Sequence, residues 1–145
     1  MIQSPVQTVQ TLLANPVDLE NVRRVTTPDV TYVSLSEDNP ELKRYLPWTG
    51  IHRGPEEIVR TFEGVGRVWE TKAFEVREVI EQGDKVAMFG SFTYRGRESG
   101  KEITSPFAIL AKVKGGKVSY VQFFEDTFGT SGTVTPSSVA PFTSG

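Results

Sequence analysis

Apolar positions recur along this chain with two different periods, and the change from one to the other divides it. Val6, Val9 and Leu13 fall on one helical stripe behind Ser4-Pro5-Val6-Gln7, a capping-box pattern with proline at the first helical position, and Asn15-Pro16 stops it. Leu19, Val22 and Val25 repeat the stripe over a second short helix that Thr26-Thr27-Pro28 ends. Pro55 opens a third helix, with Glu56 and Glu57 in the first turn, where the positive end of the helix dipole favours acids. Ile58, Phe62, Val65 and Trp69 form its apolar face, while Gly64 and Gly66 weaken it toward a bend or an early end. Before that helix, Val30-Thr31-Tyr32-Val33 is β-branched and aromatic and predicts a strand. The run from Ser36 to Pro47 is polar, charged and interrupted by proline, a long loop of the kind that serves as a lid or binding segment.

From Phe74 onward the pattern is that of strands. Phe74 to Glu81, Lys85 to Arg95, Ile103 to Lys114 and Lys117 to Phe128 read as four, separated by Gly83-Asp84, Arg95 to Gly100, and Gly115-Gly116. Connections this short make an antiparallel meander. The strands Val86 to Tyr94 and Ile103 to Lys112 are apolar on both faces, although helices can cover only one. The surplus predicts a second buried face, for which a twofold homodimer is the simplest source. The expected fold class is α+β, three N-terminal helices packed on a strongly curved antiparallel sheet. One domain spans residues 1–128, and residues 129–145, uncharged and rich in Gly, Ser, Thr and Pro, form a flexible or loosely docked tail.

Composition narrows the function. A length of 145 residues suits one domain with a real core, and a net charge of -2 without basic-aromatic interleaving leaves no nucleic-acid footprint. No apolar run approaches membrane-spanning length and no signal-peptide pattern opens the chain, so a cytoplasmic protein without membrane partners is expected. Cysteine is absent, which excludes disulfide and thiol chemistry, and a single histidine excludes a polyhistidine metal site. No metal and no cofactor are expected.

The candidate chemistry gathers at the end of the last strand, where Phe123-Phe124 leads into Glu125-Asp126. Side chains alternate along a strand, so one of these carboxylates faces whatever the strand covers; the periodicity does not say which. A carboxylate on an apolar wall has its pKa raised by desolvation and suits general acid–base work, whereas a strand-end acid can equally cap backbone N–H groups. His52 titrates in the range useful to an acid or base, or is simply a solvated loop histidine. Tyr32, Tyr45, Tyr94 and Tyr120 each offer a phenol to a ligand or pack with one wet end. Glu78, between Val76 and Ile80, is a further candidate inward acid, although a surface position on a twisted strand is the expected one.

Three stretches carry a resemblance: Gly50-Ile-His-Arg-Gly-Pro-Glu-Glu-Ile before a helix, Val79-Ile-Glu-Gln-Gly-Asp-Lys-Val at a strand turn, and Gly116-Lys-Val running on to Phe-Phe-Glu-Asp. With them the chain resembles the SnoaL-like branch of the nuclear transport factor 2-like superfamily, which also contains the ketosteroid isomerases, over roughly Val6 to Phe128. The resemblance implies a cone-shaped α+β barrel whose curved sheet encloses a pocket open at one end, and a homodimer formed through the sheet's outer face. Asp126 matches the strand-end acid that SnoaL-like proteins carry and, with His52, is the expected catalytic pair. Tyr32, Trp48, Phe62, Trp69, Phe107, Ile109, Phe123 and Glu125 are the expected ligand-binding set, around an apolar cavity under the loop from Trp48 to His52. The chain departs from the ketosteroid isomerases, because Phe107-Ala108-Ile109 offers no acid for the oxyanion hole. Arg95-Gly96-Arg97 lacks the aspartate of limonene epoxide hydrolase, and one histidine stands where scytalone dehydratase uses two. The expected function is binding of a small hydrophobic ligand, with cofactor-independent acid–base chemistry of the isomerase, cyclase or dehydratase type. The alternative is a non-catalytic small-molecule binder or dimeric accessory protein.

Overall fold

A computed structural model describes residues 3–134 of the chain. Ser4 caps α1 (Pro5–Ala14) by accepting from the Gln7 N–H at 3.2 Å, while the Gln7 side chain accepts from the Ser4 N–H at 3.0 Å. Asp18 caps α2 (Leu19–Val25) through the N–H groups of Glu20 and Asn21. The chain then enters β1 (Thr26–Ser34) directly. The segment from Ser36 to Pro47, expected to be a long loop, holds a one-turn helix, α3 (Pro40–Lys43), capped by Asn39, and a short strand, β2 (Gly50–Arg53), follows it. The helix opened by Pro55, α4 (Pro55–Val68), runs through both glycines without a break. Gly64 is buried there, so a small residue suits the close packing at that position. Trp69 does not extend the helical stripe: it ends α4 and begins β3 (Trp69–Gln82).

Three long strands follow, β4 (Lys85–Gly96), β5 (Glu102–Lys114) and β6 (Lys117–Glu125). They form one six-stranded sheet in the order β2-β1-β6-β5-β4-β3. Every neighbouring pair is antiparallel except β1 and β6, which run parallel with Tyr32 beside Val121 and Ser34 beside Phe123. The expected antiparallel sheet is therefore mixed. Hairpin signals report only pairings between consecutive strands, and nothing within Thr26–Ser34 names a partner so far along the chain. Gly115 and Gly116 supply the positive φ angles, 59° and 79°, of the tight turn between β5 and β6. Register shifts in β3 at Thr71/Ala73 and Val76/Glu78 mark bulges, which bend a sheet and raise its twist. Gly90 faces the second bulge, where an added Cβ would run into the Glu75 carbonyl and lie 2.9 Å from the Phe107 ring.

The inner face of the sheet carries Val86, Met88, Phe92 and Tyr94 from β4, Phe107, Ile109 and Ala111 from β5, and Val121 and Phe123 from β6. Val9 and Leu12 of α1, Val22 of α2 and Ile58 of α4 close the core against it. This is the α+β architecture expected, with α1, α2 and α4 as its three long helices. The domain does not end at residue 128. Thr127–Ser131 form a final helix, α5, and Thr130, Thr133 and Val134 are buried, so the start of the expected tail is docked. Residues 135–145 lie outside the described residues.

Candidate functional site

The last turn of β6 settles which acid faces inward. Glu125 pairs with Phe107 and shares the inner face with Phe123. Burial pushes its pKa from the ordinary 4.5 up to about 7, a hydrogen bond from the Thr130 hydroxyl works against that rise, and the neighbouring Asp126 charge adds to it. The Thr130 hydroxyl also lies 3.2 Å from the Asp126 carbonyl, and its one proton cannot serve both acceptors at once. Glu125 Oε2 is sealed from solvent and has no hydrogen-bond partner among the described residues. Tyr32 from β1 and Tyr94 from β4 both have phenol pKa values raised, first by burial and then by the charge of Glu125. Three titratable groups from three strands thus converge inside the cone.

Aromatic rings wall this cluster. Trp69 stacks on Tyr94 at 4.9 Å and meets Trp48 edge-on at 5.2 Å. Phe92 lies 4.1 Å from Tyr94 and 6.2 Å from Phe123, which itself stacks on Phe107 at 5.4 Å. Phe62 of α4 stacks on Tyr32 at 5.8 Å. Ile109 is buried farther along β5. The expected ligand-binding residues therefore do share one interior, but Trp48 and Trp69 are sunk in it to 2 % and 1 % exposure, as parts of the packed wall.

Asp126 is turned outward. It is exposed and caps α5, its Oδ1 accepting from the Gly129 N–H at 3.0 Å, while its own N–H donates to the Ser105 hydroxyl at 2.9 Å. Of the two acids left open by the sequence, Asp126 is thus the outward one, and the capping alternative describes it where a catalytic role was expected. The far end of α5 is tied just as firmly: the Trp69 indole N–H donates to the Thr133 hydroxyl at 2.7 Å, and that hydroxyl donates to the Thr130 carbonyl at 2.7 Å. Held at both ends, α5 lays the fully buried Thr130 against Glu125. Neither Thr130 nor Thr133 was among the expected site residues. Their only sequence signal is the Asp126 to Gly129 spacing of an N-cap, which is easily lost in a stretch rich in Thr, Ser and Gly.

His52 lies on β2 opposite Tyr32 and is buried. Its Nε2 is 2.6 Å from the Trp48 carbonyl, which can only accept, so that nitrogen carries a proton. Its Nδ1 lies 3.4 Å from a Glu57 carboxylate oxygen, and Glu57 also holds Arg60 at 3.3 Å. The ring joins the Trp48 loop to α4, which is a positioning geometry. Tyr120 sits beneath Lys112, with its hydroxyl on Gln122, and Glu78 is exposed. Among the described residues no three metal-ligating side chains converge, and no helix is long and apolar enough to cross a membrane.

A separate groove of about 500 Å³ opens between α3 and α5. Leu42, Tyr45 and Phe128 supply its apolar surface, and Asn39, Thr127 and Ser131 its polar edge. An inward carboxylate held near neutrality, beside two buried phenols, can accept a proton from carbon and has hydrogen-bond donors at hand for an oxygen that gains charge.

Residues 9–121 match the family model of the SnoaL-like domain. "Patulin synthesis protein F" of Aspergillus clavatus is 38% identical over 117 residues, which cover 79% of this chain and 59% of that relative. The chain thus spans less than two thirds of that curated relative's length. Among solved structures, an NTF2-like protein from Burkholderia xenovorans superposes with a TM-score of 0.78 at 20% identity, over 93% of this chain and 98% of the other. TerC, crystallised with polyporic acid, superposes with a TM-score of 0.70 at 25% identity, over 88% and 95%.

Proposed function

The chain belongs to the SnoaL-like domain family, and from that premise we propose that its aromatic interior binds a small, mostly apolar carbonyl compound and moves a proton on it with Glu125. The observation that carries this reading is the Glu125 oxygen, buried and unpartnered beside the phenols of Tyr32 and Tyr94. An orphaned carboxylate oxygen inside a protein costs stability and persists at sites that use it. In the reaction, the carboxylate takes a proton from the carbon next to a carbonyl. The electron pair moves onto the carbonyl oxygen, which accepts hydrogen bonds from Tyr32 and Tyr94 as its charge develops. Return of the proton to another carbon completes an isomerisation, and attack of the enolate carbon on a second carbonyl closes a ring. Neither needs a cofactor. The relative's place in patulin synthesis and TerC's crystallisation with polyporic acid support a small organic ligand.

A nitrobenzisoxazole tests the base without knowledge of the natural substrate. A carboxylate in an apolar site removes its ring C–H, the N–O bond breaks, and a coloured cyanophenolate leaves. The wild type is expected to accelerate this elimination with a pH midpoint near 7, and Glu125→Gln to lose about 100-fold or more of the rate. Equal rates in the two proteins would remove Glu125 from the role and leave a binder.

The outer face of the sheet carries a further part of the proposal, a twofold homodimer. Phe89, Ala108 and Phe124 stand side by side across β4, β5 and β6, and both phenylalanines are exposed, as is Ile80. A second copy turned about a twofold axis sets this row against itself. Sedimentation should give a species of twice the chain's mass that Phe124→Lys converts to monomer; a monomeric wild type at micromolar concentration would reject the dimer. A cytoplasmic setting belongs to the same proposal, and microscopy of a fluorescent fusion tests it.

A further inference from the structure

The groove between α3 and α5 lies outside the Glu125 cluster, and we propose that it is a second binding site, for a neutral, mostly apolar small molecule bearing hydroxyl or carbonyl groups. Its volume, about 500 Å³, falls in the range that holds one such molecule. Phe128 lines it and is 93% exposed, the most exposed large hydrophobic side chain among the described residues. A phenylalanine left this open on an otherwise tied helix gains nothing for the fold, because it buries almost none of its ring. It gains surface only when something apolar lies in the groove.

The charge of the lining selects the occupant. Glu41 is its one ionised side chain, and that carboxylate is already paired with Arg44 at 2.6 Å. Among the described residues no basic side chain lines the groove, so it offers an anion no opposite charge. Its remaining polar groups are the hydroxyls of Tyr45, Thr127 and Ser131 and the amide of Asn39, whose oxygen is taken by the Leu42 N–H at 3.0 Å. Hydroxyls give and accept hydrogen bonds without charge, which suits alcohol or carbonyl groups on a neutral ring.

Both walls are fixed rather than floppy. The α5 wall is held by the Ser105 and Trp69 ties. The segment bearing α3 leaves β1 through Leu35, at φ 67°, a left-handed conformation that a leucine holds only where its surroundings impose it. Here the Leu35 N–H donates to the Phe123 carbonyl at 3.0 Å, which anchors the α3 wall to β6. The same short helix therefore presents Thr130 to Glu125 on one side and Phe128 to the groove on the other. Occupancy of the groove does not require Glu125 to act as a base.

Prodan, a neutral naphthyl ketone whose emission shifts to the blue in apolar surroundings, is the probe. It should bind the full chain with a blue shift. Phe128→Asp, which alters a side chain exposed enough to leave the fold alone, should weaken it about tenfold or more. Ser131→Trp, which fills the groove, should do the same. Glu125→Gln should leave the affinity within about twofold, whatever it does to the elimination reaction. No binding to the wild type, unchanged affinity in both groove variants, or loss of binding in Glu125→Gln alone would each overturn the proposal. The last outcome would place the dye in the interior instead.

Discussion

Glu125 and Asp126 are neighbours in the chain and opposites in environment: the first carboxylate is inside the cone beside Tyr32 and Tyr94, and the second is at the surface capping α5. One residue of strand alternation separates a group that burial forces toward neutrality from one that remains an ordinary helix cap. Their substitutions should therefore have opposite consequences.

Glu125→Gln should stabilise the protein at alkaline pH. The folded-state pKa, about 7, lies above the ordinary 4.5, so the folded chain keeps this proton across a window in which the unfolded chain has lost it. Stability from this group is complete below about 4.5 and falls as pH rises to about 7. Above that window the wild type carries a buried charge that glutamine lacks. Denaturant unfolding should show the variant ahead by on the order of 2 kcal/mol at pH 8, with the gap closing toward pH 5. A variant less stable than the wild type at pH 8 would contradict this burial.

Asp126→Ala should cost about 1 kcal/mol, the ordinary loss of an N-cap, and lower the pH midpoint of elimination only slightly, because burial and not the Asp126 charge is the main cause of the raised Glu125 pKa. Asp126→Asn keeps a capping oxygen and should lose less. A shift of the midpoint by more than about one unit in the alanine variant would show that Asp126 does more than hold α5.

The helices and the four long strands were legible because their signals are local: Ser4-Pro5 with Gln7, Pro55 with two acids, Gly115-Gly116 between strands. What was not legible is long-range or depends on phase. The parallel seam between β1 and β6 has no hairpin to announce it. Which of two adjacent acids faces inward depends on where β6 shifts register, and that shift, between Val118 and Tyr120 opposite Val113 and Lys112, is a long-range pairing that the acids themselves do not announce. Trp69 continued a helical stripe by spacing alone, yet the chain turns into β3 at that residue. The aromatic set was found because inward aromatics dominate any core, which is also why spacing alone could not separate wall from ligand contact.

His52→Gln should lower stability by about 1–3 kcal/mol, since it removes a buried ring that spans the Trp48 carbonyl and the Glu57 carboxylate. The elimination reaction should keep a midpoint near 7, because Glu125 sets it. Loss of the titration with the fold intact would restore His52 to a direct role in proton transfer.

Gly90→Ala should be among the most damaging single-methyl additions in the chain, costing about 2 kcal/mol or more. Its new Cβ meets the Glu75 carbonyl at the β3 bulge and the Phe107 ring, and a strand backbone cannot retreat as a flexible side chain can. Thermal unfolding of the variant checks this; a loss below about 0.5 kcal/mol would mean that the bulge yields easily.

The parallel seam between β1 and β6 has a consequence for how the chain comes together in time. Tyr32 and Val121 are roughly ninety positions apart, and β6 is the strand that connects β1 and β2 to the remainder of the sheet. Closing so long a loop is entropically slow, and during synthesis β1 must wait until β6 has emerged. Tyr32 reaches Glu125 only across that seam. The cluster of Glu125, Tyr32 and Tyr94 is therefore absent from any chain shortened before β6, and it forms at the same moment as the completed sheet.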